Sequence, residues 1–153
     1  MSKRNYVYGP AFITRYRFPT HINDLILDRA ESDAAEAFFV IVEPGTAAPL
    51  HVHHDVEQIF YVLEGTGILQ IGSDNPQYYA IKSGDLVYIP CHTFHSTRCD
   101  GEQPLRYLSV DCFISGKPAD EPTWDSHVQR LCEQMGWDFA QIRNASSCSV
   151  RAL

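Results

Sequence analysis

Short apolar segments separated by turn residues fill the middle of this chain and constrain its fold more than any other feature. The segments are four to nine residues long, and clusters of Gly, Pro, Ser, Asn and Asp end them. Strands this short, with turns this frequent, are typical of an antiparallel β-sandwich or barrel. The predicted strands are 38–42, 59–63, 68–71, 78–81, 86–89 and 105–113.

The segment 125–135 has a different pattern, with apolar side chains at the spacing of one helical face. Asp125 or Ser126 is suited to cap its start, and Gly136 is suited to cap its end. We expect this helix to pack on the outside of the barrel. Its apolar positions are Val128, Leu131, Cys132 and Met135.

The length of 153 residues predicts a single domain over 1–153. We divide it into an N-terminal extension (1–34), a barrel (about 35–115) and a C-terminal helical tail (120–153). Within the extension, residues 24–27 fit an early strand or a helical turn, and both interpretations stay open.

Charge and composition exclude several function classes. The net charge of -7 argues against nucleic acid as a partner, because phosphate binding needs clustered Lys and Arg. No apolar run is long enough to span a membrane, and the N-terminus lacks the apolar region of a signal peptide, so we expect a cytoplasmic protein. The cysteines are odd in number and form no C-x-x-C pair, so we expect reduced thiols. They are Cys91, Cys99, Cys112, Cys132 and Cys148.

Histidines are concentrated beside two of the predicted strands. His51 and His53 project to the same face if the chain is extended there, and His54 projects to the other. Two imidazoles on an inner wall are costly to bury unless something binds them, and a divalent metal is the usual partner. His95 follows the strand 86–89, so it can meet the first pair across the barrel. Three imidazoles and one oxygen donor suit a transition metal.

The first of these segments resembles the first motif of the cupin family. In that motif a glycine, five residues and His-x-His are followed by three or four residues, a glutamate, six residues and a second glycine. Gly45, His51 and His53 occupy the matching places. The resemblance covers residues 38–113, about half of the chain.

The second segment resembles the second cupin motif. Gly84, five residues, Pro90 and then His95 fit its spacing. His92 stands where the motif has a glycine, and Cys99 stands where it has an asparagine. The resemblance implies an all-β fold, a single antiparallel jelly-roll (double-stranded β-helix) barrel. It also implies one divalent transition metal (Zn, Ni, Mn, Fe or Co) on the three histidines.

The fourth metal ligand is Gln58 or Glu57. Gln58 has four residues between it and His53 and six between it and Gly65, and both spacings fit the cupin motif. Glu57 has three before it but seven after it, which breaks the second spacing. We favour Gln58 and keep Glu57 as the alternative.

Three histidines and a glutamine would leave the metal its full positive charge, because none of these ligands is an anion. Such a metal polarises a carbonyl or a water strongly. We therefore expect an enzyme that acts as a Lewis acid on a small carbonyl, sugar or sugar-acid substrate, of the isomerase, epimerase or lyase type. A dioxygenase of a small aromatic, diketone or thiol is one alternative. A non-catalytic small-molecule binding module is the other.

Candidates for acid–base catalysis are few. His92 precedes His95 in the same loop, and we take it as the catalytic candidate at the mouth of the site. Further polar residues lie on predicted strands whose faces the sequence does not assign. They are Tyr61, Tyr88, Arg106, Tyr107 and Asp111.

The segment 6–18 is rich in aromatic residues, and it carries too many apolar groups to be left in water. We expect it to pair with a sheet edge or with a partner subunit, and we expect a homodimer.

Overall fold

The computed structural model describes residues 5–144, and in this range it contains nine strands and two α-helices. The strands are β1 (Thr14–Arg17), β2 (Ile22–Leu27), β3 (Ala35–Val42), β4 (Val56–Glu64), β5 (Thr66–Ile71), β6 (Gln77–Lys82), β7 (Leu86–Ile89), β8 (His95–Cys99) and β9 (Leu105–Phe113). The helices are α1 (Trp124–Met135) and α2 (Phe139–Asn144). Within the described residues, no helix combines the length and apolar character needed to cross a membrane.

The strands form two antiparallel sheets. One has six strands in the order β1-β2-β3-β9-β4-β7, and the other has three in the order β6-β5-β8. Strands β4 and β5 are consecutive in the chain but lie in different sheets, as do β7 and β8. The two sheets enclose one apolar core. The predicted all-β, antiparallel jelly-roll fold with one main C-terminal helix is confirmed.

The N-terminal extension adds two strands to the larger sheet. The segment 24–27, left open by the sequence, belongs to a strand, because β2 pairs with β3 from Ile22 opposite Ile41 onward. Strand β1 then pairs with β2 and forms the edge. The segment 6–18 was expected to pair with a sheet edge or with a partner subunit. Its residues 14–17 form β1, which pairs with a strand of the sheet.

Strands β4 and β9 cross the centre of the larger sheet and bury alternate side chains. In β4 the buried side chains include Gln58, Phe60 and Val62, with Ile59 and Tyr61 between them on the exposed side. In β9 every second residue from Leu105 to Phe113 is buried. Polar groups buried on this inner face need partners, and Gln58 is one such group.

Helix α1 begins with a capping box that differs from the predicted cap. Thr123 is the N-cap, and its hydroxyl accepts a hydrogen bond from the backbone N–H of Ser126, whose own hydroxyl accepts from Thr123 N–H. Neither Asp125 nor Ser126 is the cap, because the extended backbone ends at Thr123, two and three residues before them. Gly136 ends the helix in the left-handed conformation, as predicted.

Helix α1 packs against the barrel and does not form a second domain, as expected. Trp124 packs against Phe38 of β3 with ring centroids 4.6 Å apart, and Val128 is completely buried. Both side chains belong to the same apolar core as the strands. The helix therefore shares the barrel's core, and Trp124, His127 and Leu131 line the cavity beside the histidines. Its predicted apolar face is incomplete, because Met135 is 44% exposed.

Candidate metal centre

The structure brings His51, His53 and His95 together at one end of the barrel. One ring nitrogen of each lies within 4.8 Å of the others. Backbone pairing fixes two of them, since His51 N–H donates to His95 C=O at 3.1 Å and His95 N–H donates to His51 C=O at 2.9 Å. The segment before β4 is thereby bound to the first residue of β8, and the two motifs of the sequence meet in one site.

Backbone carbonyls select the tautomers of two of these imidazoles. His51 Nδ1 lies 2.8 Å from Pro49 C=O, and His95 Nδ1 lies 2.8 Å from Thr93 C=O. A carbonyl only accepts, so each Nδ1 carries the hydrogen and each Nε2 keeps a lone pair. Such a second partner is what orients metal-binding histidines.

Burial keeps these histidines neutral near pH 7. It lowers the pKa of His53 to about 2 and that of His95 to about 4, and it also lowers the pKa of His51. Neutral imidazole is the form that binds metals. His53 Nε2 is moreover buried with no hydrogen-bond partner.

Gln58 lies beside the histidines and presents its amide oxygen to them. Its Nε2 donates to Asp111 Oδ1 at 2.7 Å, which turns Oε1 toward His95 Nε2 at 2.8 Å. His95 Nε2 is an acceptor in its tautomer, so two lone-pair atoms face each other there. A cation between such atoms removes their repulsion, and together with the unpartnered His53 nitrogen this arrangement fits a divalent metal. His51, His53, His95 and Gln58 are the residues that would hold it.

Glu57, the alternative ligand, points to the other side of β4. Its carboxylate accepts a hydrogen bond from the Tyr88 hydroxyl at 2.9 Å, and both residues are outside the cavity lining. Tyr61 and Arg106 are likewise absent from the cavity lining, whereas Tyr107 and Asp111 are part of it.

Buried charged groups behind Gln58 hold Asp111 in place. Burial raises the pKa of Asp111, and the neighbouring carboxylate of Glu36 raises it further through charge and a hydrogen bond. The Arg29 guanidinium pairs with both oxygens of Glu36, at 2.7 and 2.9 Å. This arginine and Glu36 were not predicted, because nothing in their spacing links them to the histidine motifs.

A cavity of about 250 Å³ opens between the histidines and helix α1. His51, His53 and Gln58 line one end, and we call these residues, together with His95, the metal end. Other polar residues of the lining include Asn23, Ser109, Trp124 and His127, and we call these four the helix end. The apolar walls between them include Phe38 and Phe60.

His127 is the titratable residue of the helix end that the sequence analysis missed. Its Nδ1 lies 2.7 Å from Glu121 Oε2, so Nδ1–H donates to the carboxylate and Nε2 is left for a ligand. Glu121 is itself bound by Arg29 and Arg130, and its hydrogen bond with His127 lowers its pKa. A histidine oriented by a carboxylate is the usual form of a general acid–base group.

His92, our sequence-based catalytic candidate, lies outside the cavity lining. It is exposed, and its ring nitrogen is 2.9 Å from that of His54. Its backbone φ is 60°, a left-handed conformation that favours glycine, which explains why the resembling motif has glycine there. The catalytic role of His92 stays a prediction, and His127, which does line the cavity, is a second candidate for the acid–base group.

Comparisons with known proteins agree with this architecture. A family model described as the Cupin domain matches residues 38–111. The chain is 37% identical over 68 residues to an uncharacterized protein of Methanocaldococcus jannaschii, covering 44% of this chain and 52% of the relative. It is 33% identical over 67 residues to the oxalate-binding protein of Thermotoga maritima, covering 44% and 53%. The matches thus span about half the length of these two relatives.

A third relative matches over a longer stretch. The acireductone dioxygenase of Dictyostelium discoideum is 22% identical over 131 residues, covering 81% of this chain and 84% of the relative. Among solved structures, a predicted oxalate decarboxylase of Thermotoga maritima superposes with a TM-score of 0.59 at 21% identity, covering 70% of this chain and 98% of that one. At this identity the superposition establishes the fold alone.

Proposed function

The chain belongs to the cupin superfamily, and we propose that it is a metal-dependent enzyme acting as a Lewis acid on a small carbonyl substrate, with isomerisation, epimerisation or lyase chemistry as the reaction type. The observation that carries the proposal is the convergence of neutral ligands at the metal end. His51, His53, His95 and Gln58 bring lone pairs together without an anion among them.

The metal, when bound, would supply polarisation of a carbonyl oxygen and stabilisation of the negative charge that develops on it. Neutral ligands support this role, since they do not reduce the charge of the ion. The pairing of Gln58 with Asp111 matters here, because it keeps the amide oxygen, and not the amide nitrogen, directed at the histidines.

His127 supplies the proton transfer in this proposal. Its Nδ1–H is held by Glu121, so Nε2 takes a proton from the carbon beside the substrate carbonyl while the electron pair of that C–H bond moves toward the carbonyl oxygen. Donation of a proton to the same carbon from its opposite face, by a second donor such as water, gives the epimer. Return of the proton from His127 to the former carbonyl carbon, with transfer of the neighbouring hydroxyl proton to the former carbonyl oxygen, gives the isomer. Both outcomes balance without an oxidant.

Two observations favour alternatives. The match to an acireductone dioxygenase over four-fifths of the chain favours oxygen-dependent chemistry on an iron-loaded site. The match to an oxalate-binding protein favours binding without turnover. The Lewis-acid proposal is preferred because the carboxylate-oriented histidine at the helix end has a role in it.

Deuterium exchange tests the proposal directly. The full chain is freed of metal, loaded separately with Zn, Ni, Mn, Co or anaerobic Fe, and incubated in D₂O with a panel of small hydroxy-carbonyl compounds. We expect deuterium to enter beside the carbonyl only in metal-loaded samples, at the same rate with and without oxygen. Oxygen consumption by the iron-loaded protein would instead establish the dioxygenase, and binding without exchange would establish the binding module.

A homodimer in the cytoplasm belongs to the same proposal. The segment before β1 supports the dimer, because Tyr6 and Val7 are 90% and 82% exposed in the single chain. We expect light scattering to give twice the chain mass at micromolar concentration, and a monomer would refute the dimer. Cell fractionation tests the location.

A further inference from the structure

Four buried polar side-chain atoms lack hydrogen-bond partners within the described residues, and all four belong to residues that line the cavity. They are Asn23 Oδ1, His53 Nε2, Ser109 Oγ and Trp124 Nε1. Folded proteins leave few such atoms, since each costs free energy. Their concentration around one cavity indicates that a ligand completes them.

The chemistry of the three unpartnered groups at the helix end restricts that ligand. The indole N–H of Trp124 only donates, the amide oxygen of Asn23 only accepts, and the hydroxyl of Ser109 does either. Trp124 is 3% exposed, Asn23 is 7% exposed and Ser109 is 0% exposed. A ligand that satisfies all three must offer both oxygen acceptors and hydroxyl donors, as a hydroxylated carbonyl compound does.

The charges around the cavity oppose a phosphorylated ligand. The lining contains no Lys or Arg among the described residues, although phosphate recognition ordinarily uses these side chains. The N-terminus of α1 does not replace them, because Trp124 N–H already donates to Asp28 Oδ1 and Ser126 N–H donates to Thr123 Oγ1. Asp125 adds a further negative charge in the first turn.

The size of the cavity sets an upper limit. Its volume of about 250 Å³ corresponds to roughly eight water molecules at about 30 Å³ each. The space therefore suits a ligand on the order of ten non-hydrogen atoms.

We propose that this cavity binds a small, unphosphorylated hydroxy-carbonyl compound, with Trp124 and Ser109 donating to its oxygens and Asn23 accepting from one of its hydroxyl groups. The proposal rests on the proposed function for the metal end and adds the substrate class and its recognition at the helix end.

Calorimetric titration of the metal-loaded full chain tests it, with glyceraldehyde and dihydroxyacetone compared with their phosphate esters. We expect the unphosphorylated compounds to bind more tightly. Ser109→Ala and Trp124→Phe should each weaken that binding by about 3- to 10-fold. Trp137→Phe is the matched control, because Trp137 packs on Phe18 and is absent from the cavity lining.

Thermal unfolding without ligand separates recognition from a structural role. Ser109→Ala removes an unpartnered buried hydroxyl, so it should leave the unfolding midpoint unchanged or raise it while weakening binding. Tighter binding of the phosphate esters, no binding at millimolar concentration, or binding insensitive to both substitutions would overturn the proposal. Binding without deuterium exchange would uphold it and refute the proposed catalysis. Exchange into a phosphate ester alone would uphold catalysis and refute this inference.

Discussion

The two ends of the cavity are built from the chain in different ways. At the metal end, His51 and His53 are two residues apart in the sequence, and a pair of backbone hydrogen bonds joins His95 to His51. At the helix end, Asn23 comes from β2 and Ser109 from β9, and α1 contributes Trp124 and His127. Local backbone pairing therefore fixes the first set, whereas packing of distant elements fixes the second. The ends should respond separately to substitution.

The largest expected effect is loss of the metal on replacing one imidazole. His95→Ala removes one of the proposed metal ligands itself. Removing a residue that only hydrogen-bonds to a ligand costs roughly 10–100-fold in metal affinity, so the loss here should be larger. Metal content after dialysis and competition with a chelator measure it. His54→Ala is the matched control, because His54 is exposed and lies outside the triad. Equal metal content in the His95→Ala and His54→Ala variants would show that His95 does not bind the metal.

The next effect concerns the helix end alone. His127→Gln keeps a polar side chain but removes the basic nitrogen oriented by Glu121. We expect the deuterium exchange rate to fall by about 10²- to 10⁴-fold, with metal affinity unchanged. A parallel loss of metal from this variant would show that the ends are coupled.

A third substitution tests the charged groups behind the metal end. Glu36→Gln would leave the Arg29 guanidinium without its buried carboxylate, and the side chain of Arg29 is only 3% exposed. The loss in unfolding free energy should be about 3–5 kcal/mol. Urea unfolding measures it.

Glu43→Gln is the control for that substitution. Its partner Arg17 is nearly half exposed, and such surface pairs contribute about 0–1 kcal/mol. Equal losses in the two variants would contradict a special role for the buried pair.

A smaller effect is expected at the start of α1. Thr123→Ala removes the hydroxyl that caps Ser126 N–H, and the unfolding free energy should fall by about 1 kcal/mol. Thr123→Ser should restore it. If metal affinity fell together with stability, the position of the helix would also determine the metal end.

The smallest effect is expected at Glu57. Its carboxylate accepts from Tyr88 on the outer side of β4, so Glu57→Gln should change metal affinity by less than about 2-fold and the unfolding free energy by less than about 0.5 kcal/mol. A marked loss of metal would mean that β4 presents its other face to the site.

The metal end was largely visible in the sequence because its information is local. The fixed distances around Gly45, Gly65 and Gly84 placed the histidines and favoured Gln58 over Glu57, whereas alternation along β4 was compatible with either residue facing inward. The strands were predictable for the same reason, since alternation and turn residues act over a few positions.

The helix end could not be predicted from the sequence, because its residues come from distant parts of the chain and share no motif or fixed spacing. The apolar period of 125–135 showed that a helix forms but not which surface it covers, so nothing in the sequence singled out His127. Its nearest sequence signal is Glu121, six residues earlier, and that pair gains meaning only once α1 lies over the barrel.

The backbone pair between His51 and His95 has a consequence for folding. A metal bridging these residues would close a loop of about 45 residues, much as a disulfide does, and would restrict the unfolded chain by an entropy worth on the order of 4 kcal/mol. The bridge between the two motifs would then act as a removable cross-link. Its strength would depend on metal supply, and a starved cell would hold the same fold with a smaller margin against unfolding.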